Sequence, residues 1–392
     1  MNWIANTDTI IFEPKFNAEL DIELISAYAK LIFSDYVMNY NLFKSYANGK
    51  LSEHKFSENK FNQDVSNLPS SLTYLIFGSN FNKDVSVLPP TLTHLTFGWN
   101  FNQNVSSLPL SLTHLTFSYR FNQDVSELPK GITHLTFGDY FNQDASVLPP
   151  TLTHLTFGSH FNQDVSVLPP SLTHLTFGSH FNQDVSVLPP FITHLTFGHS
   201  FNQNVSSLHN GITYLTFGWD FNRDVSKLPI NLIYLAFGTN FNQDVSNLPQ
   251  SLLMLHFGLD FNQDVSKLPP FLTHLTFGLE FNQRCNISLN IKYLKLYCNN
   301  QYIIDSLPNS IVKLVLGQRF CLPMDNLPTS IKILIIDKCG CYNEDLNCLP
   351  DQIEELHLNY EYKKRILHIP SNLKKLICNK NYPYKDDFVT SF

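Results

Sequence analysis

Hydrophobic and polar positions repeat with a period of 20 residues over most of this chain. Phe followed by Asn occurs twelve times at steps of 20, from Phe61 to Phe281. One unit, residues 161–180, reads FNQDVSVLPPSLTHLTFGSH. The pattern L-x-x-L-x-F, with Ile for the first Leu in three copies, recurs eleven times from Leu72, and five looser copies begin at Ile291, Ile311, Ile331, Ile353 and Leu373. A constant period predicts that each unit occupies an equivalent place in a stack.

Twenty residues then close one turn of a coil. The alternating segment T-H-L-T-F predicts a short strand, and consecutive turns place these strands side by side in a parallel sheet. The return limb D-V-S-x-L-P-P is too short and too rich in Pro for a helix, so polyproline or 3₁₀ turns are expected there.

Side chains of the apolar columns are expected to point inward, and their set in one turn is Leu172, Leu175, Phe177, Phe181, Val185 and Leu188. Two Phe columns, which include Phe161, Phe177 and Phe181, predict an aromatic spine with offset or edge-to-face packing. Asn162 and Asn182 are predicted to bridge neighbouring turns, because an amide both donates and accepts. Gly178 is predicted to allow a positive φ or a close approach at the bend.

The Phe-Asn pairs, the Leu-Pro doublet and L-T-x-L-x-F-G resemble the FNIP repeat, a relative of the leucine-rich repeat found in social amoebae and giant amoebal viruses. The resemblance is strong over residues 61–280 and weaker over about 100 more. Gln-Asp stands where the family has Ile-Pro, and the unit has 20 residues where the family commonly has about 22. The uniformity of the units looks viral rather than cellular. The resemblance implies a solenoid for protein–protein interaction, without catalytic residues.

The predicted fold class is a β-rich solenoid: a leucine-rich-repeat-like right-handed coil of about 16 units with a parallel sheet on one face and a small α or mixed N-terminal cap. Four segments are predicted. They are an N-terminal cap (1–60), eleven regular repeats (61–280), five degenerate repeats (281–380) and a C-terminal tail (381–392). Many relatives carry an N-terminal F-box, so residues 17–50 are read either as divergent F-box helices or as a cap. Phe16-Asn17 and Leu31-Ile32-Phe33 also look like remnants of a degenerate unit.

The outward strand positions supply the candidate interaction face. In T-H-L-T the residues on either side of the inward Leu point away from the core. We predict partner binding, with no metal role, for one of these columns: His94, His114, His134, His154, His174, His194, Tyr214, Tyr234 and His274. A linear row of imidazoles lacks the convergence that a tetrahedral metal site needs. Stacked imidazoles are expected to be mostly neutral at pH 7.

The aligned Asp residues, such as Asp164, raise the alternative of calcium binding, but N-Q-D-V-S favours a turn-capping carboxylate. No residue pattern points to a catalytic nucleophile, a phosphate loop or a cofactor, so we predict neither an enzyme nor a cofactor.

The composition of the chain excludes some classes of binding partner. The net charge is -7 and charged residues make up 15%, which argues against nucleic-acid or membrane-surface partners. Residues 281–392 hold 14 Lys/Arg against 11 Asp/Glu, a balance of +3, so the remainder carries -10. The seven cysteines are read as reduced thiols in a cytoplasmic setting, which is the host cytoplasm if the protein is viral. No signal peptide or membrane span is predicted.

Three functions remain open from the sequence: a protein-binding scaffold, a ubiquitin-ligase adaptor that recruits ligase components through residues 1–60, and a self-associating structural protein.

Overall fold

A computed structural model describes residues 3–5, 8–13, 15–33, 59–317, 319–337, 340 and 342–391. The chain divides into two compact units, Met1–Gly198 and His199–Phe392. Each is a β-solenoid of short coils, and each coil contributes one strand to a parallel sheet. The predicted fold class is confirmed.

The first unit contains ten strands and one short helix among its described residues. β1 pairs antiparallel with β2, and β2 to β10 follow one another in parallel. The elements are β1 (Trp3–Ala5), β2 (Thr9–Phe12), α1 (Ile22–Ile25), β3 (Lys30–Phe33), β4 (Tyr74–Ile76), β5 (His94–Thr96), β6 (His114–Thr116), β7 (His134–Thr136), β8 (His154–Thr156), β9 (His174–Thr176) and β10 (His194–Thr196).

The second unit has nine parallel strands, paired in chain order. They are β11 (Tyr214–Thr216), β12 (Tyr234–Ala236), β13 (Met254–His256), β14 (His274–Phe277), β15 (Tyr293–Leu296), β16 (Lys313–Leu316), β17 (Ile333–Ile336), β18 (Glu355–His357) and β19 (Lys375–Ile377). A short helix α2 (Gln301–Asp305) and a 3₁₀ helix η1 (Lys385–Ser391) complete it.

The inward columns form the core of each unit. Leu172, Leu175, Phe177, Phe181 and Val185 are each at most 2% exposed, as the pattern predicts. The sixth predicted core residue, Leu188, is partly exposed instead. The return limb turns twice, and one of these turns is closed by a bond from the backbone N–H of the inward Leu to the carbonyl of the Pro three residues before it. A coil has no core of its own, so each buries its apolar side chains against its neighbours.

The two Phe columns stack in parallel, so of the two predicted arrangements the offset one is present along each column and the edge-to-face one is not. The rings of Phe177 and Phe181 lie 3.7 Å apart with planes 7° from parallel. Along one column, Phe161 and Phe181 are 6.2 Å apart and tilted by 8°. Neighbouring coils are copies displaced along one direction, so equivalent side chains in the same rotamer have parallel rings.

The bend after each strand depends on glycine because the backbones of successive coils touch there. A Cβ on Gly178 would overlap the carbonyl oxygen of Gly158, and the same holds at most equivalent positions. Of the two roles predicted for this glycine, close approach therefore accounts for it.

Asn side chains bridge the coils as predicted, but on the exposed surface. The side-chain oxygen of Asn162 accepts from the backbone N–H of Asn182 at 2.9 Å. The Gln183 side chain donates to both oxygens of Asn162, at 3.1 Å each. This second bond was not predicted from the sequence. The Asp164 carboxylate accepts from the backbone and hydroxyl of Ser166, at 2.9 and 2.7 Å. Such a carboxylate caps a turn, in line with the sequence reading.

Residues at both ends of the chain join the coils. β3 aligns Leu31 with Leu75 of β4, and the ring of Phe16 stacks on Phe61 at 6.0 Å. Strands β2 and β3 of the N-terminal stretch therefore extend the parallel sheet ahead of β4, the first strand that belongs to a Phe-Asn repeat. Near the other end, Phe388 of η1 is 1% exposed and packs against Tyr382.

The strand side of the first unit is its concave side. Ring centroids of neighbouring histidines on the strand face lie 4.2 Å apart, whereas equivalent Phe rings lie 5.8 Å apart at Phe157–Phe177 and 6.2 Å apart at Phe161–Phe181. Hydrogen-bonded strands are about 4.8 Å apart. The coils therefore fan outward from the sheet.

Candidate interaction face

Six histidines form an uninterrupted stack on the strand face of the first unit. Parallel pairing in register places each imidazole over the next, with centroids 4.2 Å apart and planes 11–12° from parallel. They are His94, His114, His134, His154, His174 and His194. Each ring is partly exposed on the concave side. The predicted column therefore exists as one continuous surface within this unit.

Each imidazole is oriented by the Thr that precedes it. The hydroxyl oxygen of Thr113 lies 2.9 Å from Nδ1 of His114 and 3.2 Å from the carbonyl oxygen of Thr93. That carbonyl already accepts two backbone N–H groups, from Thr113 at 2.9 Å and from His114 at 3.1 Å. A carbonyl oxygen has two lone pairs.

Two acceptors lie within reach of the Thr113 hydroxyl, and Nδ1 of His114 is the nearer one and the one without other donors. We infer that the neutral ring carries its proton on Nε2, the nitrogen on the far side from Thr113. The strand face then presents a row of N–H donors. A partner that offers backbone carbonyls or carboxylates suits such a row.

The surroundings favour the uncharged form of five of these histidines. Partial burial is the main cause that lowers their pKa, and the positive charge of neighbouring imidazoles adds to it. The pKa values so lowered belong to His94, His114, His154, His174 and His194. The stack is therefore an acid-sensitive but neutral surface at pH 7.

In the second unit the same column continues with Tyr214, Tyr234 and Met254, and then with His274. The Tyr214 and Tyr234 rings lie 5.9 Å apart. His256 enters from the other outward column, 5.4 Å from the Tyr234 ring, and its Nδ1 lies 2.9 Å from the hydroxyl of Thr276. This half of the predicted face is aromatic rather than a pure imidazole stack.

Chemistry beyond binding is not evident in the described part of the chain. No group of three or more His, Cys, Asp or Glu side chains there is arranged to hold a metal ion. Five cysteines are described, and all are free. Burial raises the pKa of Cys285 to about 11, which suppresses its reactive thiolate form. No helix among the described residues is long and apolar enough to cross a bilayer.

The F-box alternative rests on residues 17–50, which are only partly described. Residues 17–33 form the four-residue helix α1 and the sheet strand β3. Residues 34–50 lie outside the described residues.

One cluster of charged side chains on the strand face was missed by the sequence reasoning. Lys295 and Lys313 lie on the strand face of the second unit, next to Tyr297 and Tyr293. The only signal in the sequence was the +3 balance of residues 281–392 against -10 for the rest.

Comparisons with known proteins agree with this architecture. The FNIP Repeat family matches residues 61–100, 84–120, 121–160, 144–180, 161–200 and 225–260. No curated protein matches the chain. Among solved structures, CroV588, a circular leucine-rich-repeat protein from a giant virus, is 37% identical with a TM-score of 0.72. The match covers 95% of this chain and 62% of that one.

Two more distant structures share the fold alone. The TLR13–ssRNA13 complex gives a TM-score of 0.61 at 16% identity, covering 91% of this chain and 56% of that chain. The functional domain of InlJ from Listeria monocytogenes gives 0.50 at 21% identity, covering 77% and 71%. The repeats, their strand register and the 37% identity to CroV588 lead to one assignment. This chain contains FNIP repeats, over residues 61–200 and 225–260, on a leucine-rich-repeat fold.

Proposed function

We propose that this protein is a non-catalytic scaffold that binds a protein partner across its concave strand face. The observation that supports the proposal is the histidine stack, in which each of six coils presents an oriented, half-exposed imidazole. Repeated equivalent groups on a concave surface suit an extended partner, because one contact can be made at each coil.

The chemistry of the stack narrows the partner. Uncharged N–H donors in a row pair with backbone carbonyls or with carboxylates, and stacked rings supply apolar area at low entropic cost. A reducing, cytoplasmic setting is part of the proposal and is supported by the odd number of cysteines in the sequence.

Affinity capture from an amoebal lysate tests the proposal. The bait pair is the wild-type chain and a variant carrying His134→Glu and His154→Glu. The matched control is Val167→Glu with Val187→Glu, which places the same two charges on the return limb, where Val167 and Val187 are 61% and 63% exposed. We expect a partner that the wild-type chain and the control retain and the histidine variant loses.

Circular dichroism on each bait establishes that it is folded. A partner retained equally by all three baits would show that binding lies elsewhere. The same capture identifies ubiquitin-ligase components if the protein is an adaptor.

A further inference from the structure

The strand face of the second unit changes character at β14 to β16. In one outward column His274 aligns with Tyr293, and Tyr293 aligns with Lys313. In the other, Thr276 aligns with Lys295. We call the lysine patch the five side chains grouped here: Lys292, Tyr293, Lys295, Tyr297 and Lys313. Lys292 directly precedes β15 and is exposed.

Tyrosine rings hold two of the lysines in place. The ammonium of Lys295 lies 4.6 Å from the centre of the Tyr297 ring, and that of Lys313 lies 5.3 Å from the centre of the Tyr293 ring. Both distances fall in the range of cation–π attraction. Tyr297 lies directly over Gly317, where any Cβ would overlap the ring. The sequence thus makes room for the ring that holds Lys295.

The lysine patch carries positive charge that the described residues do not neutralise. None of Lys292, Lys295 and Lys313 forms an ion pair with a described carboxylate. Carboxylates on the strand face appear at β18, where Glu355 is bonded to Lys375 at 2.7 Å and to His357 at 2.6 Å. The positive region of the strand face therefore ends at β18, where Glu355 is paired with Lys375 and His357.

The neighbouring histidine responds to this charge. Burial is the first cause that lowers the pKa of His256, and the charges of His274 and Lys295 lower it further. The uncompensated field therefore extends from the lysine patch to the aromatic part of the strand face.

We propose that the lysine patch binds an acidic, extended peptide segment of a protein partner. This inference rests on the proposed function, because it names the partner chemistry for one stretch of the strand face. The face is concave on both sides of the patch, since the Phe261 and Phe281 rings before it and the Phe320 and Tyr342 rings after it lie 6.0 Å apart, while the strands are about 4.8 Å apart. A narrow extended chain fits such a surface and brings a carboxylate to each ammonium.

Nucleic acid fits this surface less well. Tight phosphate-backbone binders make roughly 6–10 phosphate contacts. The lysine patch offers three ammonium groups, in a chain with a net charge of -7. The aromatic rings are engaged with lysines and with His274, whose ring lies 5.3 Å from Tyr293.

Fluorescence anisotropy with the full chain tests the inference. The probe is a fluorescein-labelled peptide of alternating Glu and Ser, and its matched control has Gln in place of Glu. We expect the Glu peptide to bind with an affinity that falls as salt rises, and the Gln peptide not to bind. Lys295→Glu with Lys313→Glu should weaken Glu-peptide binding about tenfold or more. Lys227→Glu, on the return limb of the same unit, should leave it unchanged.

Lys295→Gln with Lys313→Gln provides a milder pair of changes if the charge reversal disturbs folding, and it should weaken binding in the same direction. The inference is overturned if the wild-type chain does not bind the Glu peptide, if the lysine variants bind it as tightly as wild type, or if single-stranded oligo(dT) binds more tightly. The proposed function fails separately, when the histidine variant retains its captured partner. If only the peptide-binding experiment fails, the lysine-patch inference is wrong. If only the affinity capture fails, the proposed binding through the histidine stack is wrong.

Discussion

At the scale of single residues, most polar side chains in this protein have a partner fixed by sequence spacing. Asp164 bonds Ser166 two positions on, whereas Asn162 bonds Asn182 one coil on. The first pairing was predictable because it is local. The bond from Gln183 to Asn162 was not predictable, since the third position of the repeat varies and its partner lies in the preceding coil. Arg223 occupies that position in one coil and still donates to the carbonyl of Asn202, at 2.8 Å.

Acid should destabilise the first unit through five histidines of the stack: His94, His114, His154, His174 and His194. Their pKa values are lowered in the folded chain, so the unfolded chain binds more protons once the pH falls below the ordinary value of about 6.5. Stability is therefore full above that pH and decreases as the pH falls from there towards 5. The Asp carboxylates stay ionised over this range because their serine bonds lower their pKa below 3.8.

Urea unfolding at pH 7 and pH 5 measures this effect. His154→Tyr with His174→Tyr is the informative variant, since both pKa values are lowered in the folded chain and Tyr occupies the same column at Tyr214 and Tyr234. It should lose less stability on acidification than the wild-type chain. An equal loss in both proteins would show that the histidines do not cause the pH dependence.

Two glycines of the first unit should respond differently to alanine. Gly178→Ala should destabilise by about 1–3 kcal/mol or more, because the new Cβ would overlap the carbonyl of Gly158 and force the coils apart. At Gly131 a Cβ would lie 3.5 Å from the carbonyl oxygens of Leu110 and Leu112, an ordinary contact. Gly131→Ala should change stability by less than about 1 kcal/mol. Chemical denaturation compares them, and equal effects would contradict the close-approach role.

At the scale of the coil, the sequence determined the strand, the inward columns and the register, because one alternation was repeated without a slip. The strands β2 and β3 were harder to recognise. Leu31-Ile32-Phe33 keeps the inward Leu and Phe of a strand but follows no Leu-Pro doublet. The sequence left ring geometry open between offset and edge-to-face packing. The equivalence of successive coils selects the parallel arrangement, because copies of one ring in the same rotamer have parallel planes.

The coil formed by residues 141–160 has a smaller buried side chain than its neighbours at one inward position. Ala145 is fully buried where the neighbouring coils have Val125 and Val165. Ala145→Val should stabilise the protein by about 0.5–2 kcal/mol, because it fills space that the same side chain occupies one coil away on either side. Val165→Ala is the matched reverse change and should destabilise. Thermal unfolding measures both. A destabilising Ala145→Val would mean that this coil has closed over the missing methyl groups.

For the whole molecule, the two units share one building rule but differ in surface chemistry. The first presents neutral imidazoles on its strand face, and the second adds tyrosines and lysines. Charge balance along the sequence indicated this difference. Concavity was not predictable, because it depends on how far the Phe columns hold the coils apart relative to the strand spacing.

Removal of one whole 20-residue coil from the first unit should be tolerated. Deletion of residues 161–180 joins Phe181 to the coil that ends at residue 160, and every column continues in register. We expect a cooperative thermal transition and a sheet-rich circular dichroism spectrum. Deletion of residues 161–170, the control, leaves half a coil and should abolish the cooperative transition. If the chain without residues 161–170 folds and the chain without residues 161–180 does not, the coils are not equivalent.

The glycine contact between coils has a consequence for inheritance. At most bends, the glycine of one coil packs against the backbone of the equivalent bend in the coil before it. A gene that gains or loses one copy of the repeat through unequal recombination therefore still encodes a chain whose remaining coils can pack in this way. The length of the binding surface can thus change between generations in single steps, with no compensating substitution elsewhere.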